Sequence, residues 1–261
     1  AQICQYLKEF SMSVSGPLTN EQIHYFKTHG YLILENLIDE GVLENWRQQV
    51  WAGLGSSLDT PDTWPTDKHA IDGFRFEPPE PAFGQYPVLE KIINQIGGGA
   101  FEGGAGSPII TWPEPDKPWQ GRESGHIDAY GPGGWMPFMI GATTYLYEVE
   151  ARGGGFTYWP NSHLTAHQYF RKHPSHVDGR FRDVEGWHWG AFNQGACDGP
   201  QEFTGQPGSV VLWHSYLTHG GSMNTRHSPR FGLFARWGHQ RRQEAEFCHE
   251  IPEDLWKYWT I

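Results

Sequence analysis

The chain has 261 residues, with 19 Lys and Arg against 30 Asp and Glu, a formal net charge of −11. A chain this acidic is a poor partner for phosphate backbones, whose affinity comes from Lys and Arg, so nucleic acid is not expected as a ligand. Its 33 Gly, 19 Pro and 13 Trp punctuate it into short segments and favour a β-dominated fold over a helical bundle. No apolar run reaches the ~18 residues of a membrane helix, and the start lacks the basic-then-apolar layout of a signal peptide. Three scattered cysteines, Cys4, Cys197 and Cys248, form no CxxC and no paired framework. Together these point to a reducing, cytoplasmic setting with no membrane partner.

Residues 17–30 read as a capped helix, with Thr19 or Asn20 as N-cap, Ile23 and Phe26 on one face and Gly30 as the stop. Residues 31–34 (YLIL) form a strand. Asp39 or Glu40 opens a second helix that runs to about Leu54, with Val42, Leu43, Trp46 and Val50 on one stripe. Residues 55–84 are loop, and because they carry Trp64, His69, Phe74 and Arg75 they are a candidate lid. Residues 86–96 form a third amphipathic helix, closed by three glycines. After Gly106 the pattern turns to short β runs at 109–112, 137–149, 155–159, 209–213 and 231–237, with a helix inserted at 164–182. The result is one domain, 1–261, with N-terminal helices over about 17–100 and a β core over about 106–240.

Fourteen histidines make any single one uninformative, so spacing has to select among them. In Gly125-His126-Ile127-Asp128 an extended backbone sends His126 and Asp128 to the same side. Two imidazoles and one carboxylate with open positions is the facial set of non-haem Fe(II) oxygenases. The missing imidazole must arrive through the fold. His219, at the end of a strand that runs into Gly220-Gly221, is the candidate. His214, five residues earlier, is read as a packed strand histidine. Arg230 lies eleven residues beyond His219 across a turn, and adjacent antiparallel strands would bring the two together. A guanidinium grips a carboxylate through paired hydrogen bonds. A cation beside an open iron site therefore suits an acidic chelating cosubstrate such as 2-oxoglutarate.

In these residues the chain resembles the phytanoyl-CoA dioxygenase family of Fe(II)/2-oxoglutarate-dependent oxygenases. The likeness runs from LTNEQIHYFKTHGYLILENLID (18–39) through H-x-D at 126–128 and GGGFTYWPNSH (153–163) to PGSVVLWHSYLTHGGSMN (207–224) and Arg230. It implies a mainly β fold with flanking helices (α+β), a double-stranded β-helix (jelly-roll, cupin-like barrel). It further implies Fe(II) held by His126, Asp128 and His219, with 2-oxoglutarate anchored by Arg230. O2 would be consumed and a C–H bond of a small organic molecule oxidised, most simply by hydroxylation, with release of succinate and CO2. Desaturation or ring closure would use the same site.

The chain departs from the family pattern in two places. Asn161 stands where members often carry Gly, a tolerable exchange because Asn accepts left-handed backbone. Many members carry a Lys or Gln upstream of H-x-D that helps hold the cosubstrate, and the matching region 107–115 offers Thr111. Asp128 keeps the carboxylate that related halogenases replace, which disfavours halogenation. The WPNSH segment is read as a structural turn. His173 and His176 are read as solvated, and Arg226, Arg241 and Arg242 as surface residues. The aromatic stretch 186–192 either lines the pocket or caps the barrel. Arg236, Trp135 and Trp159 are candidates for the substrate pocket, Arg236 because it shares strand parity with Arg230. Two other readings remain open: a cupin-like metalloenzyme that does not use 2-oxoglutarate, against which Arg230 speaks, and a silent binding barrel, against which the complete ligand set speaks.

Overall fold

The structure is a computed structural model that describes residues 17–121, 124–128, 138–185, 187–188, 199–244, 246–247 and 250–261. Trp135, the three cysteines and residues 189–192 fall outside these. Among the described residues no helix is long and apolar enough to cross a membrane.

Local sequence rules account for the N-terminal elements. Helix α1 (Asn20–His29) opens on a capping box in which Thr19 Oγ1 accepts from the Gln22 amide and Gln22 Oε1 accepts from the Thr19 amide. It closes on Gly30, whose φ of 79° is left-handed and whose amide donates to Phe26 O at 2.7 Å. Strand β1 (Tyr31–Leu34) follows at once, then α2 (Glu40–Leu54) and α3 (Pro87–Gly97). These helices bury Phe26, Leu43, Trp46, Val50, Leu89, Ile92 and Ile96 against one face of a large sheet.

That sheet is antiparallel, in the order β1-β7-β4-β9-β2. It contains β7 (Val210–His214), β4 (Phe138–Tyr145), β9 (Arg230–His239) and β2 (Phe101–Gly103), while β3 (Ser107–Thr111) also pairs with β9. A second sheet, β6-β5-β8, is built from β6 (Gln201–Phe203), β5 (Phe156–Tyr158) and β8 (His219–Gly221). Alternation sorts the side chains. Leu212, Ala142, Leu233 and Ala235 join the outer core with the helices. Tyr31, Tyr145, Val211 and Trp213 of the large sheet meet Phe156, Tyr158 and Phe203 of the small one in an inner core. Two antiparallel sheets with a shared interior and helices on the outside make the double-stranded β-helix expected from the resemblance.

The structure shifts some boundaries. The strand expected over 137–149 stops at Tyr145, and the chain then turns through 150–155. The helix expected over 164–182 is α4 (Ser162–Lys172), which ends before Pro174 and continues only as two 3-10 turns. The three-residue strands β2, β6 and β8 are too short to show a period of their own. Loop 55–84 is held against the outer core. Trp64 packs between Trp51 and Trp112, and Ala70 bridges Ile109 on β3.

Candidate active site

His126 is the first point of the site. Its amide and carbonyl exchange hydrogen bonds of 2.8 Å each with His219, which adds one residue to the edge of the small sheet beside β8. Directly opposed residues of an antiparallel pair share a face, and the two imidazole centroids lie 4.6 Å apart. Ile127 points the other way, buried among Ala166, Phe170, Val177 and Tyr216. Asp128 then returns to the side of His126. Gly125 is needed here because a Cβ at that position would come within 2.5 Å of both His219 O and the Trp159 ring.

One ligand atom from each of His126, Asp128 and His219 lies within 4.8 Å of the others. His126 Nε2 is 3.2 Å from Asp128 Oδ1, and His219 Nε2 is 3.6 Å from Asp128 Oδ2. The tautomer of His219 follows from its other nitrogen. Nδ1 lies 2.9 Å from Leu217 O, which can only accept, so Nδ1 carries the proton. Burial pushes the His219 pKa down, against the opposing pull of Asp128, and favours the neutral ring. Nε2 then turns a lone pair toward a carboxylate oxygen, an arrangement that a cation between them would satisfy. Burial would raise the Asp128 pKa, but a hydrogen bond from His126 and the charge of Arg236 hold it well below the usual carboxylate range. The donor set therefore fits a divalent first-row metal.

Arg230 is reached differently from the adjacent-strand arrangement expected of it. β8 and β9 belong to different sheets, so Arg230 approaches from the opposite wall of the barrel. It is 3% exposed, with Nε donating to Gly154 O at 2.8 Å and Nη1 to Ile109 O at 3.1 Å. Both partners are neutral carbonyls, and no carboxylate among the described residues forms an ion pair with it. A buried cation without an anion is costly, so this end of the interior is suited to receive a carboxylate. Nη2 lies 3.8 Å from where a Cβ on Gly221 would stand. Gly221 is two residues along β8 from His219, a separation of about 7 Å, which a five-carbon diacid can span. Thr111 sits directly opposite Arg230 in the β3–β9 register and so shares its face.

Arg236 is on that face as well, six residues further along β9. Its Nε and Nη2 donate to Asp128 Oδ2 at 3.0 and 2.8 Å, and the guanidinium lies 5.5 Å from the centroid of the Trp213 ring. Trp159 is 2% exposed and packs against Gly125, behind the metal-ligand set. His214 is buried, accepts from the Tyr216 amide at Nδ1 and stacks on Trp259, as a packed histidine should. The WPNSH segment has the structural role expected of it. Asn161 adopts φ 68°, and His163 Nε2 donates to Lys27 O. Ser162 Oγ donates to Trp159 O and accepts from the Thr218 amide at 2.9 Å, one residue before His219. His176 is not solvated as expected, because Tyr169 OH holds its Nδ1 at 2.8 Å. Arg226, Arg241 and Arg242 pair with surface carboxylates.

No motif or spacing singles out Glu202, a lone acid in a three-residue strand. Its carboxylate accepts from the amides of Arg152 and Gly155 and from Ser222 Oγ, tying down the turn whose Gly154 carbonyl seats Arg230.

Known structures share this architecture at low sequence identity. The non-haem α-ketoglutarate-dependent carbocyclase SnoK from nogalamycin biosynthesis is 15% identical with a TM-score of 0.56, over 91% of this chain and 92% of its own. HygX from Streptomyces hygroscopicus, with nickel and 2-oxoglutarate bound, is 17% identical with a TM-score of 0.53, over 85% and 87%. EctD from S. alaskensis, with bound Fe, is 19% identical with a TM-score of 0.53, over 88% and 80%. At these identities the likeness is one of fold. No curated protein matches the chain in sequence. The family model described as phytanoyl-CoA dioxygenase (PhyH) matches residues 115–232, so the resemblance read from the motifs is a family match over the segment that carries His126, Asp128, His219 and Arg230.

Proposed function

We propose that the protein is an Fe(II)- and 2-oxoglutarate-dependent oxygenase that hydroxylates a C–H bond of a small organic molecule. The observation that carries this reading is the convergence of His126, Asp128 and His219 within 4.8 Å, in a barrel whose interior also holds Arg230, buried and without an ion-pair partner among the described residues. His126, Asp128 and His219 would hold the iron. Arg230, with Thr111 beside it, would take the far carboxylate of 2-oxoglutarate. Bound there, iron and 2-oxoglutarate supply with O2 the oxidising power for the C–H bond, and succinate and CO2 are the coproducts.

The remaining work falls to the chain. Arg230 selects and orients the cosubstrate through a charge that forms no ion pair with a carboxylate among the described residues. The Leu217 carbonyl fixes the His219 tautomer. Arg236 holds one oxygen of Asp128 and leaves the other toward His126. Being half-exposed, Arg236 is also placed to meet an acidic group on the substrate. Phe156 and Trp213, at 5.2 and 4.4 Å from the His219 ring, keep water from the buried side of the ligand set. SnoK is a carbocyclase, and SnoN, a structure of similar fold at 14% identity, is an epimerase, so ring closure or epimerisation is the second reading of the same site. A product that gains one oxygen atom distinguishes hydroxylation from both.

The test is anaerobic addition of Fe(II) and 2-oxoglutarate to the folded protein, read by visible absorption. The expected result is a weak charge-transfer band that is absent in His219→Ala and weakened in Arg230→Ala. Folded, iron-loaded protein without the band would overturn the 2-oxoglutarate assignment and leave a cupin-like metalloenzyme. Failure to bind iron at all would leave a binding barrel.

A further inference from the structure

A line of electron-rich rings leads from His219 to the outer surface, and the proposed chemistry makes no use of it beyond its first member. Trp213 is fully buried, with its ring centroid 4.4 Å from that of His219. Tyr31 is its direct partner in the β1–β7 register, so both rings leave the same face and pack in the same inner cluster. The Tyr31 hydroxyl is 2.7 Å from that of Tyr25, and their rings meet edge-on at 5.6 Å. Tyr31 is 4% exposed. Tyr25, on α1, is only half-buried and is where the line meets solvent. Trp46, Trp51 and Trp112 lie on the other face of the large sheet, so this line is distinct from the general aromatic content of the core.

We propose that Trp213, Tyr31 and Tyr25 form an electron-supply line that protects the protein when oxidising power arises at the His126–Asp128–His219 site with no substrate to receive it. The proposal rests on the function proposed above. Indole and phenol rings give up one electron more readily than aliphatic side chains or phenylalanine, and a phenol sheds its proton with the electron. Trp213 passes one electron to the site and takes one from Tyr31. The Arg236 guanidinium, 5.5 Å from the Trp213 ring centroid, makes positive charge on that ring unfavourable, so the electron deficit moves on to the tyrosines. Burial disfavours a charged hydroxyl on either one. The Tyr31 proton therefore crosses the 2.7 Å hydrogen bond as the electron leaves, and Tyr25 releases one proton to water. The tyrosyl radical recovers one electron and one proton from a thiol or ascorbate in solution. Two such passages, with two protons taken up from solvent at the site, reduce the two-electron oxidant that O2 leaves there, and its oxygen atom departs as water. Without the line, oxygen would be inserted into Trp213 or Phe156 beside the site.

The test uses the full chain loaded with Fe(II) and 2-oxoglutarate and exposed to O2 with no further substrate. Freeze-quench electron paramagnetic resonance, peptide mass mapping and succinate yield are recorded together. Tyr25→Phe removes only a hydroxyl at a half-buried position. The expected result is a tyrosyl signal in the parent protein that is lost in Tyr25→Phe. Oxygen addition at Trp213 or Phe156 rises several-fold in the variant, while the initial succinate yield stays unchanged. Succinate formed without a tyrosyl signal, and with the same oxidation map in both proteins, would overturn the proposal. A parallel arm gives the Fe(II) protein hydrogen peroxide in place of 2-oxoglutarate and O2, which delivers oxidant to the site whether or not the cosubstrate assignment holds. If no succinate forms, the cosubstrate reading fails, and the tyrosyl signal in the peroxide arm still decides the relay: its loss in Tyr25→Phe supports the relay, and its absence from the parent protein overturns it.

Discussion

The two ends of the barrel interior are built to opposite specifications. Around Arg230 the walls are closed. The side chain is 3% exposed, two of its nitrogens are committed to backbone carbonyls, and the turn that seats it is pinned by Glu202. Around His126 and Arg236 the walls are open, with side chains 43% and 42% exposed. A closed end suits a partner that is the same in every reaction cycle, because rigidity lowers the cost of ordering it. An open end suits a partner whose shape varies between relatives, because loops and rim residues can change without disturbing the seat.

The sharpest way to break this comparison is at the closed end. Arg230→Ala removes the only buried partner proposed for the far carboxylate of 2-oxoglutarate. Losing one member of a buried charge pair costs about 2–5 kcal/mol, or roughly a 30- to 5000-fold weaker cosubstrate affinity. Titration of the charge-transfer band measures it. Arg230→Lys should recover little, because the fork that holds Gly154 O and Ile109 O is lost with the guanidinium. An affinity unchanged in Arg230→Ala would mean that the closed end does not bind the cosubstrate.

Acid should next reach the outer turn that carries His163. Burial lowers the His163 pKa to about 4 from an ordinary 6.5, outweighing the hydrogen bond to Lys27 O. Between those values the unfolded chain binds more protons than the folded one, so stability falls as pH drops through this window. The loss approaches about 3 kcal/mol at pH 4. Buried His214, also held neutral, adds in the same direction. Denaturant titrations at pH 7 and pH 4.5 measure the drop, and His163→Gln should make it shallower. A stability independent of pH across this window would mean that His163 is not held neutral by the fold.

The two ends were not equally legible in the sequence. His126 and Asp128 could be paired from their spacing because Ile127 is apolar and the backbone is extended, a local rule. His219 was supplied by the family resemblance, since no local rule joins residues 91 apart; the strand expected to end on it stops at His214, and His219 instead opens β8, which contains both glycines. Arg230 was singled out by position, but its approach was misread. Eleven residues of turn suggest a hairpin, whereas the chain crosses from one sheet to the other. The N-terminal helices α1 to α3 were readable from caps and glycines, whereas α4 ends at Lys172, ten residues short of its expected end. Strands β2, β6 and β8 were not, because three residues cannot display alternation and their pairing is set by distant partners. Glu202 was hidden for the same reason: its meaning lies in the three donors around it.

Ser162 tests how the outer turn reaches the open end. Its Oγ accepts the Thr218 amide, which is buried and has no alternative partner in the strand. Ser162→Ala leaves that donor unsatisfied at a cost of about 1–3 kcal/mol in stability. Because Thr218 adjoins His219, iron affinity should fall with it, whereas a role confined to packing would lower the melting temperature alone.

The smallest effect is expected at Arg236, and its size is what makes it informative. The pair with Asp128 is geometrically good, but the guanidinium is 42% exposed, so solvent screening limits it to about 1 kcal/mol or less. Arg236→Gln keeps a donor near Asp128 Oδ2 and removes the charge. Iron affinity should then change by less than about tenfold, because His126 and His219 still hold the metal. A substrate with an acidic group, by contrast, should lose affinity while its turnover at saturation is retained, the signature of uniform binding. If Arg236→Gln instead abolished iron binding, Arg236 would belong to the ligand set's support, and the open end would be as constrained as the closed one. A small effect on iron with a raised KM for acidic substrates alone would place the choice of substrate at the open rim and leave the constant chemistry to the interior.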